Sequence, residues 1–205
     1  MNQIPSPSLK RLVTLFQILT QLEENSKITS VEISARTGWS EATIRRDISL
    51  LKLHSGKSNG YSVGGLKKSL QEILNLSDDE RKNFCVVGLG QLGSALLKNS
   101  DFSRSNFKIV AGFDSSTNRI ELLESSIPLF STANLESEIA ERKIEFAILS
   151  VSDSCAQKVA DRLVAAGIKG IVNYTNVILN VPETVNVENV SMAFALSNLA
   201  SRIEK

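Results

Sequence analysis

Phe84-Cys85-Val86-Val87-Gly88-Leu89-Gly90-Gln91-Leu92-Gly93 is the stretch on which the reading of this chain turns. Four apolar residues make a short buried strand, and a glycine-rich turn follows at once. Residues 94–98 then open a helix. A lone G-x-G-x-x-G is a weak signal, but between a strand and a helix it acquires a mechanism. The glycines let the backbone turn tightly and approach a pyrophosphate. The helix N-terminus offers unpaired N–H groups and the positive end of its dipole. A second strand, 107–113, runs into Asp114, 21 residues beyond Gly93. A carboxylate there accepts hydrogen bonds from adenosine ribose hydroxyls and repels a 2′-phosphate, so NAD(H) is expected over NADP(H). The competing reading is that the glycines serve close packing alone and nothing binds.

Toward the C-terminus, strand and helix keep alternating. Residues 146–151 read as a buried strand, 154–166 as a helix, 168–174 as a strand and 185–190 as a last strand. A C-terminal helix carrying Leu196, Leu199 and Ile203 follows. This alternation argues an α/β, Rossmann-like, doubly wound parallel sheet.

Toward the N-terminus the pattern is different. In residues 8–24, Leu9, Leu12, Val13, Phe16, Leu19 and Leu22 recur at three- and four-residue spacing, the signature of an amphipathic helix. Pro5 and Pro7 precede it, where proline is tolerated. Residues 26–29 are a polar break. Thr29 or Ser30 can cap a second short helix, which Gly38 ends. Ser40 caps a third, with Ile44, Ile48 and Leu51 facing inward and Arg45, Arg46 and Lys52 outward. The turn chemistry of residues 56–61 separates two short extended pieces, which makes the whole a winged helix-turn-helix. Residues 66–76 read as one more helix, and the polar stretch 75–83 as a linker. The expected domains are therefore 1–78 for DNA binding, 79–190 for the dinucleotide and 191–205 for a C-terminal dimerisation helix.

The third helix has the composition of a recognition helix. Its N-terminal part would face base edges in the major groove. Ser40, Ala42, Thr43 and Arg46 suit phosphate and base contacts, Arg45 a phosphate anchor, and Lys52, Lys57, Gly60 and Tyr61 extend the surface into the wing. Charge agrees: residues 1–70 hold ten Lys/Arg against five Asp/Glu, the remainder thirteen against seventeen, within a net charge of +1. A basic module on a mildly acidic remainder fits a duplex-DNA partner. The bland alternative is a solvated helix face on a protein-interaction domain.

Other classes fare worse. No apolar run reaches the roughly 18 residues of a membrane span. No charged-then-apolar-then-small pattern opens the chain, and Cys85 and Cys155 do not make a disulfide framework, so a cytoplasmic location is expected. His54 is the only histidine, which leaves no metal site or catalytic triad built on several imidazoles. It reads as a wing residue, Cys85 as a small core residue and Trp39 as helix-turn-helix core. Cys155, near a helix N-terminus, is placed where a thiolate is favoured. A small NAD-dependent dehydrogenase is the rival from another class. It lacks a second domain, a Ser-Tyr-Lys spacing and any histidine outside the wing, so no enzyme is expected.

Taken together, these segments resemble the Rex family of bacterial redox-sensing transcriptional repressors. The likeness is carried by Ile4-Pro5, Arg11-Leu12, Ile44-Arg45-Arg46-Asp47-Ile48-Ser49, Gly60-Tyr61, Gly88–Gly93 and Phe113-Asp114. In the C-terminal third it is carried by Gly167-Ile168-Lys169-Gly170-Ile171, Asn173-Tyr174, Asn180-Val181-Pro182-Glu183 and Val187-Glu188-Asn189-Val190. The resemblance implies a homodimer that binds operator DNA through paired winged helices, swaps its C-terminal helix between subunits and leaves DNA when it takes up NADH. It adds Val151, Ser152, Asn173 and Tyr174 to the expected nucleotide site. It also implies interdomain contacts involving Arg11, Asn99 and Ser191 that change between states. Here the chain departs from the family, with Ser191 in place of Asp and Asn99 in place of Tyr. Ser152 and Asn176 replace prolines, Lys52 and Ser55 replace wing glycines, and Gln91 replaces asparagine. The departures make a Rex-like regulator with an altered, weakened or lost NADH response the nearest alternative.

Overall fold

The computed structural model describes residues 4–51, 60–74, 76, 81–99, 102 and 105–203, the side chain of Asn99 excepted. The chain forms two units, Met1–Asp79 and Glu80–Lys205.

The first unit comprises α1 (Ser6–Leu19), β1 (Lys27–Ile28), α2 (Ser30–Thr37), α3 (Glu41–Ser49), β2 (Tyr61–Ser62) and α4 (Val63–Ile73). Leu12, Leu15 and Leu19 of α1 meet Ile33, Ile44, Ile48, Leu66 and Leu70 in one core. Each such side chain, fully buried, contributes roughly 1.5–3 kcal/mol. Thr29 makes the cap of α2. Its hydroxyl accepts from the Glu32 N–H at 3.2 Å, and Glu32 accepts from the Thr29 N–H at 2.7 Å, a reciprocal capping box. Gly38 closes α2 in the left-handed conformation, φ 73°.

Three expectations for this unit are corrected. Helix α1 ends at Leu19, not near residue 24, and its inward stripe runs through Leu15 while Leu9 and Val13 are exposed. Residues 27–28 are not a plain polar break: Lys27 pairs with Ser62 and Ile28 with Tyr61 in a two-stranded antiparallel ribbon. Two residues are too short to show a period, so only their distant partner defines them. Helix α4 begins at Val63 rather than 66, because the Ser62 hydroxyl caps it through the Gly65 N–H and Val63 is fully buried. Gly64 and Gly65 in its first turn lower the intrinsic helix propensity there, so the start is legible only from the cap and the burial. Lys52, His54, Ser55, Lys57 and most of the 56–61 wing turn lie outside the described residues.

The second unit comprises β3 (Lys82–Val87), α5 (Gln91–Asn99), β4 (Phe107–Asp114), α6 (Thr117–Leu122), β5 (Leu129–Ser131), α7 (Leu135–Glu141), β6 (Ile144–Leu149), α8 (Asp153–Ala165), β7 (Gly170–Asn173), β8 (Asn186–Asn189) and α9 (Met192–Ala200). Its strands form one parallel sheet in the order β5-β4-β3-β6-β7-β8. Side chains of β3 alternate between two apolar layers: Cys85 and Val87 join α7 and α8, while Phe84 and Val86 join α5. Strand β3 starts at Lys82, inside the stretch read as linker, since Lys82 and Asn83 pair with Phe107 and Lys108 of β4. Elements α6, β5 and α7 went unread; at six, three and seven residues they carry little periodicity. Strand order reverses between β3 and β6, and a crevice opens beyond the strand ends at such a point. Among the described residues no helix is long and apolar enough to cross a membrane.

Candidate nucleotide cleft and nucleic-acid interface

The glycine loop lies at the reversal point. The Gly88 N–H donates to Phe113 O and the Ser150 N–H to Val87 O, both at 2.8 Å, so the loop is tied to the strands on either side. The three glycines have different reasons to be glycine. A Cβ on Gly88, whose φ is 95°, would lie 2.4 Å from Ser150 O, and one on Gly93 would lie 1.9 Å from Gly88 O. Those two permit close backbone packing. A Cβ on Gly90 would meet nothing within 4 Å. Gly90 stands at the N-terminus of α5 with open space before it, the cradle a pyrophosphate requires. Close packing explains Gly88 and Gly93, and the space at Gly90 leaves its backbone free to be approached.

Asp114 ends β4 and is 3% exposed. Its Oδ2 accepts from the Leu89 N–H at 2.7 Å and from Arg119 at 2.8 Å, and its Oδ1 accepts from the Ser116 N–H at 2.8 Å. Burial alone would raise this carboxyl; the donors of Ser116, Arg119 and Leu89 outweigh it and hold it below the usual range. Asp114 thus braces the glycine loop. Leu89 is itself buried, so it joins the site through its backbone. In front lies a cleft of about 470 Å³, lined by Leu89, Gly90, Gln91, Ser94, Arg119 and Leu122 among others. That volume is within the usual range for small-molecule sites. Ser94, Ser116, Asn118, Arg119 and Leu122 were not singled out from the sequence. Ser116, a capping residue two places after Asp114, is the signal that points to the last four of them.

Beyond β6 and β7 the remaining expected residues split. Val151 is half-buried and Ser152 exposed. Asn173 is fully buried. Its amide donates to Val177 O and Asn189 Oδ1, each at 2.8 Å, and its Oδ1 accepts from the Thr175 N–H and hydroxyl. It therefore braces the loop that follows β7, from 174 to 177. Tyr174 donates its N–H to Leu149 O at 2.9 Å and packs its ring against the α5 layer. Asp153 accepts from the Asn176 N–H and side-chain amide, a bond a proline at 176 could not donate. Those hydrogen bonds keep its carboxyl below the ordinary value. Cys155 is exposed, with its thiol lowered by hydrogen bonds from Ser152 and Ser154, whereas burial pushes Cys85 up to about 12. Among the described residues, no group of His, Cys, Asp and Glu has a metal-holding arrangement.

In the first unit α3 carries its polar residues outward and Ile44, Asp47 and Ile48 inward. Ser40 caps it by accepting from the Thr43 N–H at 3.2 Å, and the two hydroxyls share a bond at 2.9 Å. Ala42, Arg45 and Arg46 are exposed. Arg45 pairs with Glu41 and donates to Ser30, which steadies it along the helix. Gly60 and Tyr61 lie half-buried at β2, Tyr61 packed on the core.

Arg11 and Ser191 are each engaged in their own unit. Arg11 donates to Asp47 Oδ2 at 2.5 Å, to Asp47 Oδ1 at 3.1 Å and to Ser8 at 3.2 Å. The Ser191 hydroxyl caps α9 through the Phe194 N–H at 3.3 Å. Helix α9 has no buried residue; Met192, Phe194, Leu196 and Leu199 are all more than half exposed.

Comparison with known proteins agrees with both units. Residues 79–177 match the sequence model of a CoA binding domain, and residues 3–49 that of a putative DNA-binding protein N-terminus. The chain is 36% identical over 200 residues to the redox-sensing transcriptional repressor Rex of Limosilactobacillus reuteri, covering 97% of this chain and 92% of the relative. It is 34% identical to Rex of Bacillus licheniformis, with the same coverage. Among solved structures it resembles the Rex-family repressor RSP in complex with β-NAD+ and operator DNA, at TM-score 0.87 and 31% identity over 98% of this chain and 93% of that one. RSP in complex with β-NADH matches at TM-score 0.85 and 31% identity over 98% and 95%. This chain belongs to the Rex family of redox-sensing transcriptional repressors.

Proposed function

We propose that this protein is a dimeric transcriptional repressor that binds operator DNA through its first unit and NAD(H) in the cleft of its second, with NADH releasing it from DNA. The observation that carries this reading is the pairing, within one chain, of an outward-facing capped helix α3 and a glycine cradle open at Gly90. Both lie in a chain that matches Rex repressors over nearly its whole length. In this reading residues 1–78 are the DNA-binding domain, with Ser40, Ala42, Thr43, Arg45, Arg46, Gly60 and Tyr61 on the DNA side. Residues 79–190 hold the nucleotide. Gly90, Gln91 and Leu92 cradle the pyrophosphate, Gly88 and Gly93 shape the loop, and Asp114 takes the ribose. Ser152 and Tyr174 lie toward the nicotinamide. When bound, NAD(H) supplies a redox-dependent shape and charge rather than hydride chemistry. The protein works in the cytoplasm, where both ligands are.

Residues 191–205 form the dimerisation segment. An exposed row of Met192, Phe194, Leu196 and Leu199 on a single nine-residue helix is a large apolar patch for a monomer. A second copy of the chain covers it. Replacing Leu196 and Leu199 together by Ser gives a monomer in sedimentation and abolishes operator binding. A retained dimer refutes this assignment.

The direct test is binding to a palindromic operator of the type recognised by Rex repressors, with and without NADH. Binding relieved by NADH supports the reading; binding to neither DNA nor NADH refutes it. A second reading, a repressor with a weakened NADH response, is favoured by Arg11 being tied to Asp47 and Ser191 to its own helix. It predicts operator binding that NADH lowers less than tenfold.

A further inference from the structure

Asp47 is the anomaly of α3. It lies on the buried side of the helix, between Ile44 and Ile48, with its side chain 5% exposed. A charge placed among apolar side chains costs free energy unless it is paired and hydrogen-bonded. A small apolar residue would have filled the same place without that cost. The carboxylate meets a guanidinium that reaches it from α1, 36 residues away in sequence, and holds both oxygens. Ser8, one turn before Arg11 on the same helix, accepts from the same guanidinium. The pair sits beside Leu12, Leu15, Ile33, Trp39 and Ile44, where α1, α2 and α3 converge.

We infer that the Arg11–Asp47 pair sets the rotation of α3 about its own axis and so decides sequence-specific, rather than general, DNA binding. Apart from the bonds of Ser30 on α2 with Glu41 and Arg45 near the start of the helix, the α3 footing is aliphatic: Ile44 and Ile48 share a core with Ile33, Leu12 and Leu15. Aliphatic contacts are non-directional and tolerate a small roll of the helix. A two-bond Arg–carboxylate contact is planar and directional, and does not. Side-chain tips on a helix lie roughly 5–6 Å from its axis, so a roll of about 20° moves them by about 2 Å. That exceeds the tolerance of a base-edge hydrogen bond. Phosphate contacts are long-range and lose far less, since they act as charge on charge. Arg11 and Asp47 are therefore positioning residues: neither needs to touch a base.

This inference rests on the operator-binding reading, and the experiment separates the two. Affinity for a palindromic Rex-type operator and for a scrambled duplex of equal length and composition is measured at one salt concentration. The proteins are wild type, Arg11→Gln, Arg11→Lys, Asp47→Asn and the double exchange Arg11→Asp with Asp47→Arg. The ratio of the two affinities is the readout, because a smaller folded fraction lowers both equally and leaves the ratio alone. Arg11→Gln removes a positive charge and Asp47→Asn a negative one, so a purely electrostatic effect drives overall affinity in opposite directions. The expected result is a ratio at least tenfold lower in both, a smaller loss in Arg11→Lys and partial recovery in the double exchange. If Arg11→Gln does not fold, Arg11→Lys and Asp47→Asn carry the test. Unchanged ratios in those two overturn the inference while leaving the repressor reading intact. A wild-type chain without preference for the operator overturns both.

Discussion

Among the described residues Asp47 and Asp114 are the buried carboxylates of the two units, and they are held in different ways. Asp114 takes two backbone N–H groups, from Leu89 and Ser116, and one guanidinium, from Arg119, whose side chain is 50% exposed. Asp47 takes its bonds from Arg11, a side chain only 27% exposed and set on another helix. A carboxylate bonded to nearby backbone fixes a loop and depends little on any single partner. A carboxylate bonded to a distant side chain fixes the relation between two helices and depends mainly on that partner. The first arrangement suits a rigid phosphate cradle. The second suits a helix whose orientation is its function.

The largest effect should come from the cradle itself. Gly93→Ala places a Cβ 1.9 Å from a backbone oxygen, which no side-chain rotation relieves. Overpacking of this kind is expected to cost roughly 3 kcal/mol of stability, and fluorescence titration should find NADH binding lost. Gly90→Ala is the control. Its Cβ meets no protein atom, so the thermal midpoint should stay within a few degrees while NADH affinity falls.

Next come the two arginines, which test the comparison most directly. Arg11→Ala leaves Asp47 buried without its bidentate partner, at an expected cost of about 2–3 kcal/mol. Arg119→Ala removes a half-exposed partner from a carboxylate that keeps two N–H donors, and is expected to cost less than about 1 kcal/mol. Equal losses in denaturant unfolding would mean the two sites are held alike.

Acid should weaken both. Each carboxyl titrates below its ordinary value when folded. For Asp47, burial would raise it, and the bonds from Arg11 and Ser8 outweigh burial. Such groups stabilise fully above the unfolded carboxyl pKa of about 3.9 and lose that contribution as pH falls through the folded value. The stability gap between wild type and Asp47→Asn or Asp114→Asn should therefore be flat from pH 8 to about 5 and close below about pH 4. A gap that changes between pH 6 and 8 would contradict this. Thr29→Ala, which removes half the α2 capping box, is expected to cost about 1 kcal/mol in denaturant unfolding, with no dependence on the state of either carboxylate.

Much of the cleft and of α3 was legible because their chemistry is local. The strand, the loop, Asp114 and the cap at Ser40 are each recognised within a few residues, by period, by glycine spacing or by a side chain that bonds its own backbone. Arg119 and Ser116 are near neighbours of Asp114, yet they escaped notice because a six-residue helix carries no clear period. Asn173 looked like a site residue beside Tyr174; burial turned it into a loop brace.

By itself the sequence determined the two-unit plan, the doubly wound sheet, the glycine loop between strand and helix and the capped α3, since backbone geometry and hydrophobic period are properties of neighbouring residues. Only the tertiary structure decided that β1 pairs with β2 across 34 residues from Ile28 to Gly60's neighbour Tyr61. It alone joined Arg11 to Asp47, and it alone showed Gly90 to be the glycine with open space before it. These depend on which distant groups share one volume. Chain closure and burial choose that together, and no short window of sequence contains it.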